Sequence, residues 1–216
     1  MKDSMIAPVF ALGVLGALAL AGGSASAQQF SADFVATAAG AKGRLYVANG
    51  KVRIETPDFP DGFFLVDGDA GSAWFVRPAR RVFMEARQST RLTRLLVPLD
   101  PDDPCGQWQA MAERAGATAP GERWRCDRLG GESVDGRETV KYRALSPRRR
   151  LHEAWIAPTL RFAVRLETED GAVVALENIE EGPQPPDLFA IPAGYRKFDP
   201  QALIDRIKQS DVWVEP

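Results

Sequence analysis

Short runs of alternating polar and apolar residues, separated by turn-forming dipeptides, fill this chain from Phe30 onward and restrict its fold more than any other feature. In Arg44-Leu45-Tyr46-Val47 and in Lys51-Val52-Arg53-Ile54-Glu55 the aliphatic residues fall on one side and the charges on the other, the period of a strand with one dry face and one wet face. Asn49-Gly50 joins these two runs. Both central residues of so tight a hairpin need positive φ, which Asn and Gly adopt at the least cost. Asp61-Gly62, Asp67-Gly68 and Asp170-Gly171 repeat the punctuation. The pattern predicts an antiparallel meander with strands at Phe30–Thr37, Arg44–Asn49, Val52–Thr56, Phe63–Asp67, Ala73–Arg77, Val82–Ala86, Thr139–Ala144, Leu151–Ile156, Leu160–Glu167 and Val173–Ile179.

A sheet with one dry face must be covered, and helical signals are few. They are Ser89–Val97, where Leu92, Leu95 and Leu96 share a face, Pro104–Gly116, and Pro200–Lys208 with Asp199 as N-cap. Three short helices over a curved sheet predict an apolar interior only partly plugged. The proline-rich loop after Val97 and the loop Gly182–Pro186 read as loops within one domain, and no repeat of solenoid or propeller period is present.

The N-terminus has Met1-Lys2-Asp3, an apolar stretch Met5–Ala21, then glycines and Ala25-Ser26-Ala27. This is the form of a secretory signal cleaved after Ala27, leaving residues 28–216 as a single domain. A retained membrane anchor is the rival, but it needs about 20 apolar residues, more than this stretch supplies. Gln28 follows the cleavage point, so no cysteine stands there for acylation. Export exposes Cys105 and Cys126, 21 positions apart, to an oxidising compartment and predicts a disulfide between them. A redox-active pair would want Cys-x-x-Cys spacing.

The formal charge of −2, from 27 Lys and Arg against 29 Asp and Glu, provides no global field for a phosphate backbone and argues against nucleic acid as partner. One histidine, His152, and two cysteines do not make a tetrahedral zinc site without carboxylates; neither metal nor cofactor is expected. A hydrolase built on His152 lacks the Gly-x-Ser-x-Gly elbow, so the reading is non-enzymatic, with an esterase-like use of His152 as a third hypothesis. Glu180-Glu181 and Asp102-Asp103 read as solvated turn residues. The basic groups Arg77, Arg80 and Arg81, Arg91 and Arg94, and Arg148–Arg150 read as solvated faces, with docking onto anionic lipid head groups or an acidic protein as the functional alternative.

The order of segments resembles the LolA/LolB superfamily of periplasmic lipoprotein-sorting and lipid-carrier proteins. The residues that carry the resemblance are Phe30-Ser31-Ala32-Asp33-Phe34, the hairpin Gly43–Val47 to Lys51–Glu55, Trp74–Pro78 to Val82–Glu85, Trp155–Val164, Asn178-Ile179, Glu181-Gly182 and Leu188–Tyr195. The resemblance implies a mainly β fold: an incompletely closed antiparallel half-barrel whose concave face is covered by a few short helices and holds an apolar ligand. It further implies a soluble periplasmic binding or carrier protein for a lipid or for lipoprotein acyl chains. A periplasmic sensor or adaptor of the envelope-stress type, binding a protein partner through a similar half-barrel, is the alternative. Strand parity gives the candidate cavity residues as Phe34, Leu45, Val47, Val52, Ile54, Trp74, Val76, Met84, Trp155, Leu160, Phe162 and Val164, with Leu92, Leu95 and Leu96 on the lid.

Overall fold

A computed structural model describes residues 28–37, 40–86, 92–116, 118–119, 121–146, 151–200 and 202. The expected leader at 1–27, Arg91, Arg148–Arg150 and most of the expected helix at 200–208 lie outside the described residues. The elements are β1 (Gln29–Ala36), β2 (Ala41–Ala48), β3 (Lys51–Glu55), β4 (Phe63–Asp67), β5 (Ser72–Arg77), β6 (Val82–Glu85), α1 (Leu92–Leu95), α2 (Pro104–Arg114), β7 (Arg125–Val134), β8 (Arg137–Leu145), β9 (Leu151–Ala157), β10 (Phe162–Thr168), β11 (Val173–Glu181) and β12 (Arg196–Lys197). They form one twelve-stranded sheet in the order β12-β6-β5-β4-β3-β2-β1-β11-β10-β9-β8-β7. The sheet is not closed: β7 and β12 are its two edges. Two antiparallel meanders, β1–β6 and β7–β11, are joined where β1 pairs with β11, and only β12 runs parallel to its neighbour.

The turns obey the chemistry of their residues. Asn49 and Gly50 both have positive φ, 50° and 75°, the geometry a two-residue hairpin requires. Asp135 and Gly136 repeat it between β7 and β8, at 49° and 77°.

Residues directly opposite in register share a face, and the ladder runs Phe34↔Gly43, Leu45↔Ile54, Ile54↔Phe64, Phe64↔Phe75 and Phe75↔Met84. These define the concave face. The convex face carries Arg44 bonded to Asp33 at 3.1 Å and to Glu180 at 2.9 Å, and Glu153 held by Lys141 at 2.8 Å and Arg143 at 3.0 Å. The hydrogen bond from Asn178 and then that from Arg44 lower the pKa of Asp33. Those from Lys141 and Arg143 do the same for Glu153. Glu180 and Glu181, expected only to be solvated, are partners of Arg44 and Arg137.

Over β4–β6 the convex face is apolar as well. Phe63, Leu65 and Val76 are buried there under Ile191 and Tyr195, with Trp74 and Phe83 packed beside them. These cover residues belong to a strap formed by the 3-10 turn Pro186–Phe189 and β12. Arg53 fixes the strap by donating to the Leu188 carbonyl at 3.3 Å while its guanidinium lies 3.5 Å from the Phe63 ring centre.

Candidate functional site

The concave face presents a continuous apolar surface. Phe30, Phe34, Leu45, Val52, Ile54 and Phe162 have no exposed area, and Phe30 meets Phe162 edge to face at 5.5 Å between ring centres. Gly43 sits opposite Phe34. A Cβ there would stand 2.5 Å from the Phe34 ring and 2.1 Å from the Glu55 carbonyl oxygen, so only glycine lets that ring lie flat across the neighbouring strand.

The cover is the segment from α1 to α2. Asp103 caps α2 by accepting from the Gly106 N–H at 3.0 Å, with Pro104 in the first turn. Helical spacing then puts Cys105, Trp108, Met111 and Ala112 on the buried side. Leu96, Leu99, Trp108 and Met111 join the strand residues in one cluster, none more than 3% exposed. Sequence reasoning predicted an interior only partly plugged. Over these strand residues Leu99, Trp108 and Met111 add large buried side chains to the lid triplet Leu92, Leu95 and Leu96.

Ties to both halves of the sheet hold this cover down. Gln107 donates to the Gly68 carbonyl at 2.7 Å, at the turn between β4 and β5. On the other half, the Leu99 N–H donates to the Arg161 carbonyl at 2.7 Å and the Tyr142 hydroxyl to the Pro101 carbonyl at 2.8 Å. Cys105 of α2 and Cys126 of β7 lie at disulfide distance, with Cα atoms 5.8 Å apart. In contrast, Leu92 and Leu95 of α1 are only half-buried against the cluster.

Inside this apolar enclosure one polar atom stands out. The Trp108 indole N–H is buried and has no hydrogen-bond partner. An unpaired buried donor costs about 1–3 kcal/mol.

Of the sequence-derived candidates, Phe34, Leu45, Val47, Val52, Ile54, Leu96, Trp155, Leu160, Phe162 and Val164 are brought together in the main cluster, and Leu92 and Leu95 pack on it. Met84 is half-buried and shares the concave face through its pairing with Phe75. Trp74 and Val76 fall on the opposite face, in the cluster under the strap. The strap dries the outside of β5, so Ala73-Trp74-Phe75-Val76 is apolar on both sides and its alternation says nothing about parity. Trp155, although in that main cluster, is paired with Lys141 and Arg165 on the side that carries the charges. Their cationic groups lie 4.3 Å and 5.2 Å from its ring centre, and its N–H donates to Glu132 at 2.9 Å. The bulge between Ala163 and Arg165 shifts the parity that sequence spacing assumed.

The concave residues that sequence reading missed include Phe30, Phe64, Val66, Phe75 and Leu176. Phe30 and Phe64 were inside predicted strands, and continuing the parity of Ile54 through the hairpins would have found Phe64 and Phe75.

His152, on β9, stacks on Trp124 with ring centres 5.8 Å apart. Among the described residues no group of three or more His, Cys, Asp or Glu is placed to hold a metal ion, and no helix is long and apolar enough to cross a membrane. Two surface grooves of about 670 and 620 Å³ lie at the β7–β8 hairpin and beside the loop 56–62. None of the candidate cavity residues lines either of them.

No family model and no curated protein matches the sequence. Among solved structures the chain is similar to PNGF-II, with a TM-score of 0.50 and 10% identity over 85% of this chain; it spans only about a third, 34%, of that one. The MucA/MucB complex of Pseudomonas aeruginosa gives a TM-score of 0.43 and 15% identity, covering 79% of this chain and 57% of that one. A LolA superfamily protein from Nitrosomonas europaea gives 0.35 and 11%, covering 77% and 91%. At 10% identity the likeness to PNGF-II is one of fold alone; the chain's own sheet order makes it an open half-barrel, antiparallel except at β12.

Proposed function

We propose that this is an exported, non-catalytic binding protein that takes the acyl chain of a lipid or lipoprotein between the concave face and the α1–α2 cover. The observation that carries the reading is the Trp108 N–H, an unpaired donor buried within the apolar cluster. An acyl ligand matches the apolar lining and supplies the acceptor that the Trp108 N–H lacks. Its chain is held by non-directional burial at about 0.8 kcal/mol per methylene, and its carbonyl oxygen accepts the indole proton. The structure is then the closed form, and a ligand enters by displacing side chains of the cover. The half-buried α1 is the part with least to lose, while the Leu99–α2 portion stays tied to both halves of the sheet.

Native mass spectrometry of protein isolated from its exporting cell tests the proposal. Co-purified lipid, and binding of a fluorescent fatty acid by the delipidated protein, are the expected results. Protein that arrives empty, takes up no fatty acid and is recovered with an envelope protein instead would replace the carrier by a sensor or adaptor.

A further inference from the structure

The margin of the sheet formed by β6 and β12 gathers positive charge in one place. The Arg196 N–H donates to the Arg81 carbonyl at 3.0 Å, and the Phe198 N–H to Phe83 at 2.7 Å, which fixes the strap beside the turn Pro78–Arg80. The Arg81 guanidinium lies over Gly194, 3.2 Å from where a Cβ would stand. Arg80, Arg81, Arg196 and Lys197 are all exposed, and none is in an ion pair among the described residues. Arg44, Arg53, Arg77, Arg137, Arg143 and Arg165, by contrast, each have a carboxylate partner. Among the described residues the acidic groups on this margin are Glu85 and Asp199, two against four cations.

An apolar row ends at the same margin. Phe64 pairs with Phe75 and Phe75 with Met84. Phe198 follows beside Met84, since Lys197 is opposite Phe83. Exposure rises along this row, from 1% at Phe64 through the half-buried Phe75 and Met84 to 36% at Phe198. An unneutralised cationic rim beside an exposed aromatic is the composition that holds a protein to an anionic lipid surface.

We propose that the β6–β12 margin docks on an anionic bilayer, with Arg80, Arg81, Arg196 and Lys197 on the head groups and Phe198 at the acyl boundary. The row Phe198–Met84–Phe75–Phe64 then leads from the bilayer to the concave face. Only this last step rests on the acyl-ligand reading. A charged sheet edge also discourages pairing between copies of the chain, but that role has no preference among lipids.

Flotation of the intact protein with phosphatidylcholine vesicles, with and without phosphatidylglycerol, separates the two. Binding is expected only with phosphatidylglycerol and weakens as salt is raised. The Arg80→Gln, Arg81→Gln, Arg196→Gln triple variant is expected to lower partitioning roughly a hundredfold, since each surface cation contributes about a fivefold factor. Phe198→Ser lowers it further without changing the salt dependence. Arg123→Gln with Arg128→Gln, exposed at the far end of the sheet, leaves it unchanged. Failure to float with the anionic vesicles, or an equal loss in the Arg123 and Arg128 variant, overturns docking. Fatty-acid binding in solution that survives this failure leaves the ligand reading standing, and flotation without fatty-acid binding does the reverse.

Discussion

Replacing Cys105 and Cys126 together by alanine removes the only covalent tie between α2 and β7. Alanine is the informative substitute, because Cys105 is 7% exposed and a serine hydroxyl there would add a buried polar group of its own. The closed loop spans 21 positions, and the chain entropy it removes from the unfolded state amounts to about 3 kcal/mol at 25 °C. With a urea dependence of about 2 kcal/mol per molar for a domain of this size, the midpoint should fall by roughly 1.5 M. Urea titration followed by tryptophan fluorescence and by far-ultraviolet circular dichroism checks this, with oxidised wild type, reduced wild type and the double alanine variant side by side. Reduced wild type and the variant should coincide to within the small loss of sulfur packing. A shift below about 0.3 M in both would refute the reasoning: the cover would then be held by packing and by the hydrogen bonds of Gln107, Leu99 and Tyr142 alone. Coincident optical transitions are needed for the comparison, since a cover that releases before the sheet unfolds would separate the two signals.

Gly43→Ala should cost about 2–3 kcal/mol, because the new methyl meets the Glu55 carbonyl as well as the Phe34 ring and backbone cannot yield as a side chain does; a urea midpoint reads this. Trp108→Phe removes a buried donor with no acceptor, so the empty protein should lose little stability. Its affinity for a fatty-acid methyl ester should fall about fivefold or more while affinity for a plain alkane is kept, measured by competition with a fluorescent fatty acid. Glu153→Gln should destabilise at neutral pH and matter progressively less in acid. The folded-state pKa of Glu153 is depressed by Lys141 and Arg143, so its contribution is present above the ordinary carboxylate range near pH 4.3 and is lost as pH falls through the lower folded value. The difference in melting temperature between wild type and variant, followed from pH 7 into acid, should shrink accordingly.

The alternating strands made most of the sheet legible, as at β3, where Val52 and Ile54 face inward between charged neighbours. Legibility failed where the environment was not two-faced. Strand β7 carries Gly130-Gly131 at a bulge and lies exposed at an edge, so no dry face imposes a period on it, although Asp135-Gly136 beside it has the same turn chemistry as Asn49-Gly50. At β5 the opposite holds: both faces are covered, and Trp74 and Val76 could not be told from Ala73 and Phe75. The helix Pro104–Gly116 is legible as part of the cover, but Trp108 and Met111 on it and Leu99 on the loop before it share a buried face that appears only when the chain folds back. The cationic margin was half visible as Arg80 and Arg81. Arg196 and Lys197 join it through a two-residue parallel strand that no local pattern encodes.

The placement of β1 has a consequence for the order in which this chain acquires structure. Its two neighbours are β2, next in sequence, and β11, whose Glu181 sits opposite Phe30. A chain emerging from its N-terminus can build the first meander, yet one side of β1 keeps its amides and carbonyls unsatisfied until nearly the whole polypeptide is available. Contacts this distant in sequence form slowly and late. Under the proposed export, this delay keeps the seam that completes the sheet from forming while the C-terminal meander is still on the side of synthesis.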